Sequence, residues 1–271
     1  INKVPVASIG TLGIKYKKKT IPSDLTSPET IFLHQALQNI KKKGINNVII
    51  EASSHGLHQK RVHHLNLKAG IFTNFSQDHL DYHKKMKLYL QAKLILFKKI
   101  LLKNQVVISD KSIEEFSILR KISKNKNLKL IDISIIEKKL EKMPELNLNE
   151  FQRKNLSMAV AAAKLCNLNE KKIFDSFKKI KDVNGRLELV KSFPNNIRVY
   201  VDFAHTPDAL EKTLKALKQS NNDSISLVFG CGGDRDFMKR PLMSKIASEN
   251  CKNIYVTDDN PRNEKPDKIR N

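Results

Sequence analysis

Residues 197–257 read IRVYVDFAHTPDALEKTLKALKQSNNDSISLVFGCGGDRDFMKRPLMSKIASENCKNIYVT, and the order of apolar and polar runs in this stretch sets the fold class. Ile197 to Phe203 is a short run in which β-branched Ile197, Val199 and Val201 alternate with other residues, and it reads as a strand. Pro207 opens a helix to Lys218, because proline at the first helical position loses no hydrogen bond. A second strand covers Ile225 to Phe229, a second helix Pro241 to Asn250, and a third strand Ile254 to Thr257. This β-α-β-α-β order predicts a Rossmann-like parallel sheet covered by helices. Ligands of such sheets lie beyond the carboxyl ends of the strands, so chemistry is expected in the polar segment after each strand.

The same alternation runs through the preceding residues. Val4 to Ile9 reads as a strand, and Pro28 to Lys43 as a helix with Gly44 at its end. Val48 to Glu51 is a short apolar run closed by an acid. Ala69 to Phe75 reads as a strand and Met86 to Leu101 as a helix, and the runs at 106–108, 113–122 and 128–133 continue the pattern. Residues 134–149, rich in Lys, Glu and Leu, read as an irregular excursion. Phe151 to Leu165 is an Ala-rich helix, followed by a shorter one to about Ile180. Asp182-Val183-Asn184-Gly185 reads as a turn and a domain boundary.

Of the 271 residues, 40% are hydrophobic and 29% charged, which excludes a wholly disordered chain. No run approaches the ~18 consecutive apolar residues of a membrane span. A net charge of +22 raises nucleic-acid binding as a rival reading. The charge is carried mainly by Lys spread along the whole chain, without Trp, whereas a nucleic-acid face clusters its cations. No nucleic-acid partner is therefore expected. Cys166, Cys231 and Cys251 are odd in number and lack C-x-x-C spacing, which fits a reducing, cytoplasmic setting. The chain opens without Met and stops one turn into a Pro266-initiated helix, so an internal piece of a longer protein is expected.

Polar clusters follow the strands as the fold class requires. Glu51 and His79 each follow a strand assigned to one parallel sheet, so both side chains are expected over its carboxyl edge. A carboxylate, an imidazole and a neighbouring carboxylate suit a hard cation such as Mg²⁺ beside phosphate; solvated loop polarity is the plainer alternative. On the next helix the apolar stripe Met86, Leu90, Lys93, Phe97, Ile100 places Lys93 in a core-facing slot. A buried ammonium is costly unless paired or chemically altered, and snorkelling to water is the alternative. Gly230-Cys231-Gly232-Gly233 lets backbone N–H groups approach an anion, though such a turn is also common without one. Arg235 and Arg262 lie beyond neighbouring strands, where two guanidinium groups clamp a carboxylate or else pair with nearby Asp. There is no G-x-x-x-x-G-K-[ST] loop in the sequence.

Seven motifs, in order from about Thr11 to the end, resemble the Mur ligase family, and within it the members that add diaminopimelate. They are Glu51 to Leu57, Phe72 to Asn74 with Asp78 to His83, Tyr89 to Lys93, Gly185 to Glu188, Ala204 to Leu210, Gly230 to Asp236, and Asp259 to Arg262. The resemblance implies an α/β fold, with a mostly parallel-sheet central ATP-binding domain at 1–183 and a partial Rossmann-like C-terminal domain at 184–271. It implies an ATP-dependent ligase of peptidoglycan synthesis, with Mg²⁺ as cofactor and monomeric. ATP phosphorylates the D-Glu carboxylate of UDP-MurNAc-L-Ala-D-Glu, and the amine of meso-diaminopimelate attacks the acyl phosphate. By the same resemblance, Thr26, Ser27, Ser53, Gln59 and Arg61 contact the UDP-muramyl dipeptide. Lys93, carboxylated on its amine, joins Glu51 and His79 as catalytic metal ligands. Asn155, Arg186, Asp202 and His205 face the nucleotide, and Arg235, Asp259, Asn260, Pro261 and Arg262 the incoming amino acid. Phe203 stands where the family has Tyr, Ala52 where Val is common and Ser27 where Thr is frequent. The family's phosphate loop, its uridine-binding domain and the end of its C-terminal domain are expected outside this sequence. Two further readings are a lysine-adding ligase, against which Arg262 argues, and a remnant ligase without activity.

Overall fold

The computed structural model describes residues 4–180, 183–220 and 224–271. The chain divides into two compact units. The first comprises residues 1–74, 87–148 and 152–179; the second comprises residues 75–86, 149–151 and 180–271. Of the boundary turn expected at 182–185, Asp182 lies outside the described residues, and the remainder closes through Arg186 N–H donating to the Val183 carbonyl (3.0 Å).

In the first unit, β1 (Val6–Gly10), β2 (Gly13–Tyr16), β3 (Lys19–Ile21) and β4 (Asn47–Ile50) form one sheet in the order β3-β2-β1-β4. Only β1 and β4 are parallel; β1–β2 and β2–β3 are antiparallel. β2 alternates with Ile14 and Tyr16 inward, and Gly13 (φ +81°) and Lys17 (φ +53°) make the two tight turns. Between β3 and β4 runs α1 (Thr30–Lys42), whose Leu33, Ala36 and Ile40 fall on one buried face. It begins two residues later than the sequence suggests and stops at Gly44 (φ +74°).

A separate sheet of β5 (Ala69–Phe72), β6 (Val106–Ser109) and β7 (Lys129–Asp132) is wholly parallel, with β6 central. All four β6 residues are buried, as expected of a strand covered on both faces. β4 and β5 therefore belong to different sheets, which corrects the expectation that Glu51 and His79 follow strands of a single one.

The helices of this unit are α2 (Ser54–His58), α4 (Met86–Ile95), α5 (Phe116–Lys126), α6 (Ser134–Glu141), α7 (Glu150–Leu165) and α8 (Glu170–Asp175), while α3 (Leu80–His83) lies in the second unit. α6 corrects the reading of 134–149 as irregular: its Ile136 and Leu140, one turn apart, pack into the core with Ile108, Ile133, Met158, Val160 and Phe177. The helix expected over 86–101 is α-helical only to Ile95 and ends in a π-helical turn, Leu96–Ile100.

The second unit has an antiparallel pair, β8 (Glu188–Ser192) and β9 (Arg198–Val201), and a parallel pair, β10 (Ser226–Phe229) and β11 (Asn253–Val256). α9 (Pro207–Ser220) supplies Leu210 and Leu214, α10 (Lys239–Asn250) Met243 and the segment after β10 Cys231 to its core. α11 (Pro266–Arg270) closes the described chain.

Candidate functional site

The segments after β1 and β4 converge within the first unit. Glu51 follows β4 directly, and its Oε2 accepts the Thr11 N–H (3.0 Å) and the Thr11 hydroxyl (2.8 Å). A Cβ added to Gly10 would stand 2.4 Å from Glu51 Cδ, so glycine is required for the carboxylate to lie across β1. The Thr26 hydroxyl lies 3.1 Å from that of Thr11. Ser27 is completely buried: its hydroxyl donates to the Glu51 carbonyl (2.8 Å) and accepts the Ser53 N–H (2.9 Å). Ser53 caps α2 by accepting the Gly56 N–H. Arg61, also buried, donates through Nη1 to the Ser27 carbonyl (2.9 Å) and through Nη2 to Gln59, and its Nε lies 3.2 Å from Glu29. All five residues assigned to the UDP-muramyl substrate thus share one network with Glu51. Ser27 serves it as an internal joint, while Gln59 lies at the surface.

Lys93 lies in the same unit on α4. The fully buried positions of α4 and its π turn are Tyr89, Ala92, Leu94, Leu96, Phe97 and Ile100, which puts Lys93 at the edge of the apolar face, half-buried. Its Nζ donates to the Asn74 carbonyl (3.2 Å) and stands 5.6 and 5.2 Å from the ring centroids of Phe72 and Tyr89. Asn155 is exposed on α7. Beside it Lys154 reaches the buried Asp110 (3.0 Å), which follows β6 and also accepts the Ser112 N–H (2.8 Å) and hydroxyl (2.7 Å). Burial raises the Asp110 pKa, but these donors outweigh it and hold it below the ordinary carboxylate range.

In the second unit, Asp202 ends the β9 segment and ties two turns together. Its Oδ2 accepts the Leu187 N–H (2.6 Å) and its Oδ1 the Ala204 N–H (2.8 Å). Arg186 stacks on Phe203 (4.7 Å), and the Phe203 and His205 rings meet edge to face (5.1 Å). Arg186, Asp202 and His205 are therefore neighbours.

The residues that sequence reasoning passed over are Asp78 and Lys239. Asp78 Oδ2 lies 3.5 Å from His205 Nε2 and 3.4 Å from His79 Nε2, and its Oδ1 lies 3.8 Å from Lys239 Nζ. His205 Nδ1 must donate to the Phe203 carbonyl (2.9 Å), so a proton on Nε2, towards Asp78, makes the ring cationic. The Asp78 contact accordingly raises the His205 pKa against the effect of burial. Burial has the larger say at His79 and lowers its pKa, leaving the neutral imidazole that a metal ligand requires. The signal for Lys239 was present in the sequence: it opens the second helix of a β-α-β unit, at the edge where ligands bind.

The segments after β10 and β11 interlock. Gly233 N–H donates to the Asn260 carbonyl (3.0 Å), and Arg262 Nη1 donates to the carbonyls of Gly233 (2.6 Å) and Asn260 (3.4 Å). Arg240 and Glu264 form a two-pronged ion pair (2.8 and 3.0 Å) behind them. Asp259 bonds the Asn260 N–H (2.8 Å), and Arg235 lies 3.8 Å from Asp81. A Cβ on Gly233 would stand 1.8 Å from the Pro261 carbonyl oxygen, a backbone atom that has no rotamer to change. Gly233→Ala should therefore cost ~2–3 kcal/mol, in the range of overpacking. That corresponds to a fall in Tm of ~4–12 °C. Scanning calorimetry of both proteins measures it, and a shift under ~1 °C would show that the loops tolerate separation.

Sequence models of the Mur ligase middle domain and of the Mur ligase glutamate ligase domain match residues 2–181 and 185–271, and the chain belongs to the Mur ligase family. It is 38% identical, over 97% of its length, to the UDP-N-acetylmuramoyl-L-alanyl-D-glutamate–2,6-diaminopimelate ligase of Rickettsia montanensis, and 36% identical over 97% to that of Bradyrhizobium diazoefficiens. It spans 60% of the length of each. A solved structure of a ligase of that name superposes with a TM-score of 0.65 at 28% identity, covering 98% of this chain and 58% of the other. A folylpolyglutamate synthase in complex with AMPPCP and folate, 13% identical, shares the fold (TM-score 0.68, covering 94% of this chain and 73% of the other). Among the described residues no helix is long and apolar enough to cross a membrane.

Proposed function

We propose that this chain carries the central (1–183) and C-terminal (184–271) portions of a cytoplasmic, ATP-dependent ligase that joins meso-diaminopimelate to the D-Glu carboxylate of UDP-MurNAc-L-Ala-D-Glu. The observation that carries this reading is the 38% identity to a ligase of that name, maintained over 97% of the chain. The γ-phosphoryl group of ATP passes to the carboxylate, giving ADP and an acyl phosphate. The amine then adds to the acyl carbon, loses its proton and expels inorganic phosphate.

The side chains suit these tasks. The network of Thr26, Ser27, Ser53, Gln59 and Arg61 holds the UDP-muramyl substrate beside Glu51. Asn155 receives the nucleotide's base, and Arg186 and His205 offset its phosphate charge, with Asp202 fixing the turns that present them. Arg235 and the loop from Asp259 to Arg262 take the amino acid. For Mg²⁺, Glu51 would offer a carboxylate oxygen and Lys93 another once carboxylated, both in the first unit, and His79, in the second, an imidazole nitrogen; among the described residues no group of three or more His, Cys, Asp or Glu side chains is gathered to hold a metal ion. The ion, when bound, neutralises charge developing on the phosphoryl oxygens.

The intact protein, supplied with ATP, Mg²⁺ and UDP-MurNAc-L-Ala-D-Glu, is expected to release phosphate and form a UDP-tripeptide with meso-diaminopimelate at a rate at least ~100-fold above that with L-lysine. Equal use of L-lysine would reject the diaminopimelate assignment. No product with any amino acid would reject the ligase reading.

A further inference from the structure

In the second unit, residues 77–81 contact the segments after β9 and β10 through three successive polar links. Gln77 Nε2 donates to Asp236 (3.0 Å), Asp78 faces His205 and Lys239, and Asp81 faces Arg235 (3.8 Å). The middle link is the densest. Asp78 is largely buried, with 15% of its side chain exposed, and accepts the N–H of His79 on Oδ1 (2.8 Å) while three cationic or titratable groups surround it. Lys239 is itself 7% exposed at its side chain, so its ammonium is a fixed charge inside the cluster. His79 takes a left-handed backbone conformation (φ +57°), a strained setting for a non-glycine residue. The Asp78 bond to its N–H is what opposes that strain locally.

We propose that Asp78 is a positioning residue, held in place by Lys239, that sets the rings of His79 and His205 for the ligase reaction. The inference rests on the ligase reading above. Asp78 acts through two imidazoles that face the same carboxylate oxygen, Oδ2, while Oδ1 accepts the His79 N–H and faces Lys239. Lys239 is its electrostatic partner, and its loss is expected to matter only while Asp78 is charged. A carboxylate behind a functional histidine typically contributes 10–100-fold to activity or metal affinity, and a pair acting as one unit is non-additive on mutation.

The experiment compares wild type, Asp78→Asn, Asp78→Glu, Lys239→Met and the Asp78→Asn/Lys239→Met double variant of the intact protein. Asp78→Asn keeps shape and an acceptor for the His79 N–H but loses the charge. It should lower kcat by ~30–100-fold and change KM for the UDP-muramyl dipeptide by less than ~3-fold. Asp78→Glu should recover part of the loss. Lys239→Met should lower kcat by ~10-fold in wild type and have no further effect in the Asp78→Asn background. Amide exchange of the peptide over residues 75–86 should quicken in Asp78→Asn by ~10-fold while peptides of α9 and α10 stay unchanged. Additive losses, an unchanged kcat in Asp78→Asn, or exchange rising throughout the second unit would each overturn the proposal, the last by showing a role in stability alone. The exchange measurement needs no turnover. A wild type without ligase product therefore rejects the ligase reading separately from the grip of Asp78 on its segment.

Discussion

Lys93→Ala in the intact protein is expected to reduce ligase turnover by at least ~1,000-fold, equivalent to ~4 kcal/mol of barrier. The contacts of the unmodified side chain cannot account for a loss of that size. Its ammonium donates to the Asn74 carbonyl (3.2 Å) and lies near the Phe72 and Tyr89 rings (5.6 and 5.2 Å). A cation–π contact at a half-exposed site contributes ~0.5–1 kcal/mol, and a hydrogen bond ~1 kcal/mol net. The loss of these contacts should lower stability by ~2 kcal/mol, a Tm change of ~4–8 °C, and the protein remains folded at assay temperature.

Lys93→Arg separates the two roles. Arginine keeps the charge, the carbonyl donor and the ring stacking, yet cannot take up CO₂ on its strongly basic guanidinium. If Lys93 acts as a carboxylated lysine, Lys93→Arg is as inactive as Lys93→Ala while its Tm stays within ~2 °C of wild type. Acetate then partly restores turnover to the alanine variant by replacing the lost carboxylate, and bicarbonate does not. Wild-type activity in Lys93→Arg would show that the ammonium itself serves and that no carboxylated side chain takes part.

The sequence reveals the strand-end chemistry more readily than the layout of the sheets. Glu51, Ser53 and Gly230 to Asp236 could be placed because a parallel strand followed by a polar run has one functional end, a local rule; Asp202 instead follows β9, which pairs antiparallel with β8 and not with β10, a correction to the parallel strand expected at 197–203. Which strands pair is not local. Nothing in Val48 to Glu51 or Ala69 to Phe75 reveals that β4 and β5 belong to different sheets. The β2–β3 hairpin escaped because its turn places Lys17, not Gly or Asn, at positive φ, and the strands are only four and three residues long. In α6 the Lys and Glu of its exposed face mask Ile136 and Leu140, which alone mark the buried side. The stripe through Met86, Leu90 and Lys93 is one residue out of phase with the face that α4 buries, which carries Tyr89 and Ala92, so Lys93 falls at its edge, and the π turn after Ile95 breaks the constant period further along. Asp78 stands within one of the quoted motifs, but its partners His205 and Lys239 come from far along the chain, and no spacing rule connects them.

Arg262→Ala should reduce kcat/KM for meso-diaminopimelate by ~10–100-fold, as expected from losing a charged, hydrogen-bonded pair of ~1.5–3 kcal/mol. Arg262 has two roles to disentangle. Both of its bonds in the loop, to Gly233 and Asn260, are made by Nη1, and the residue holds a left-handed conformation (φ +50°) at the point where the two segments interlock. A guanidinium carries five N–H donors, so clamping the Gly233 turn leaves directions for a carboxylate. A pure clamp predicts equal losses of kcat/KM for diaminopimelate and for L-lysine, together with a lower Tm. A carboxylate reader predicts a large loss for diaminopimelate and a loss of less than ~3-fold for L-lysine, which brings no distal carboxylate to be left unpaired. KM for ATP should move by less than ~2-fold in the second case, because the nucleotide is assigned to Asn155, Arg186 and His205. Arg262→Lys sharpens the comparison. A single ammonium can hold the Gly233 carbonyl or the ligand, but lacks the planar fork that does both. Reading therefore predicts most of the specificity lost with the Tm retained, while clamping predicts both preserved. Kinetics with the two amino acids and calorimetry on the same three proteins decide between them.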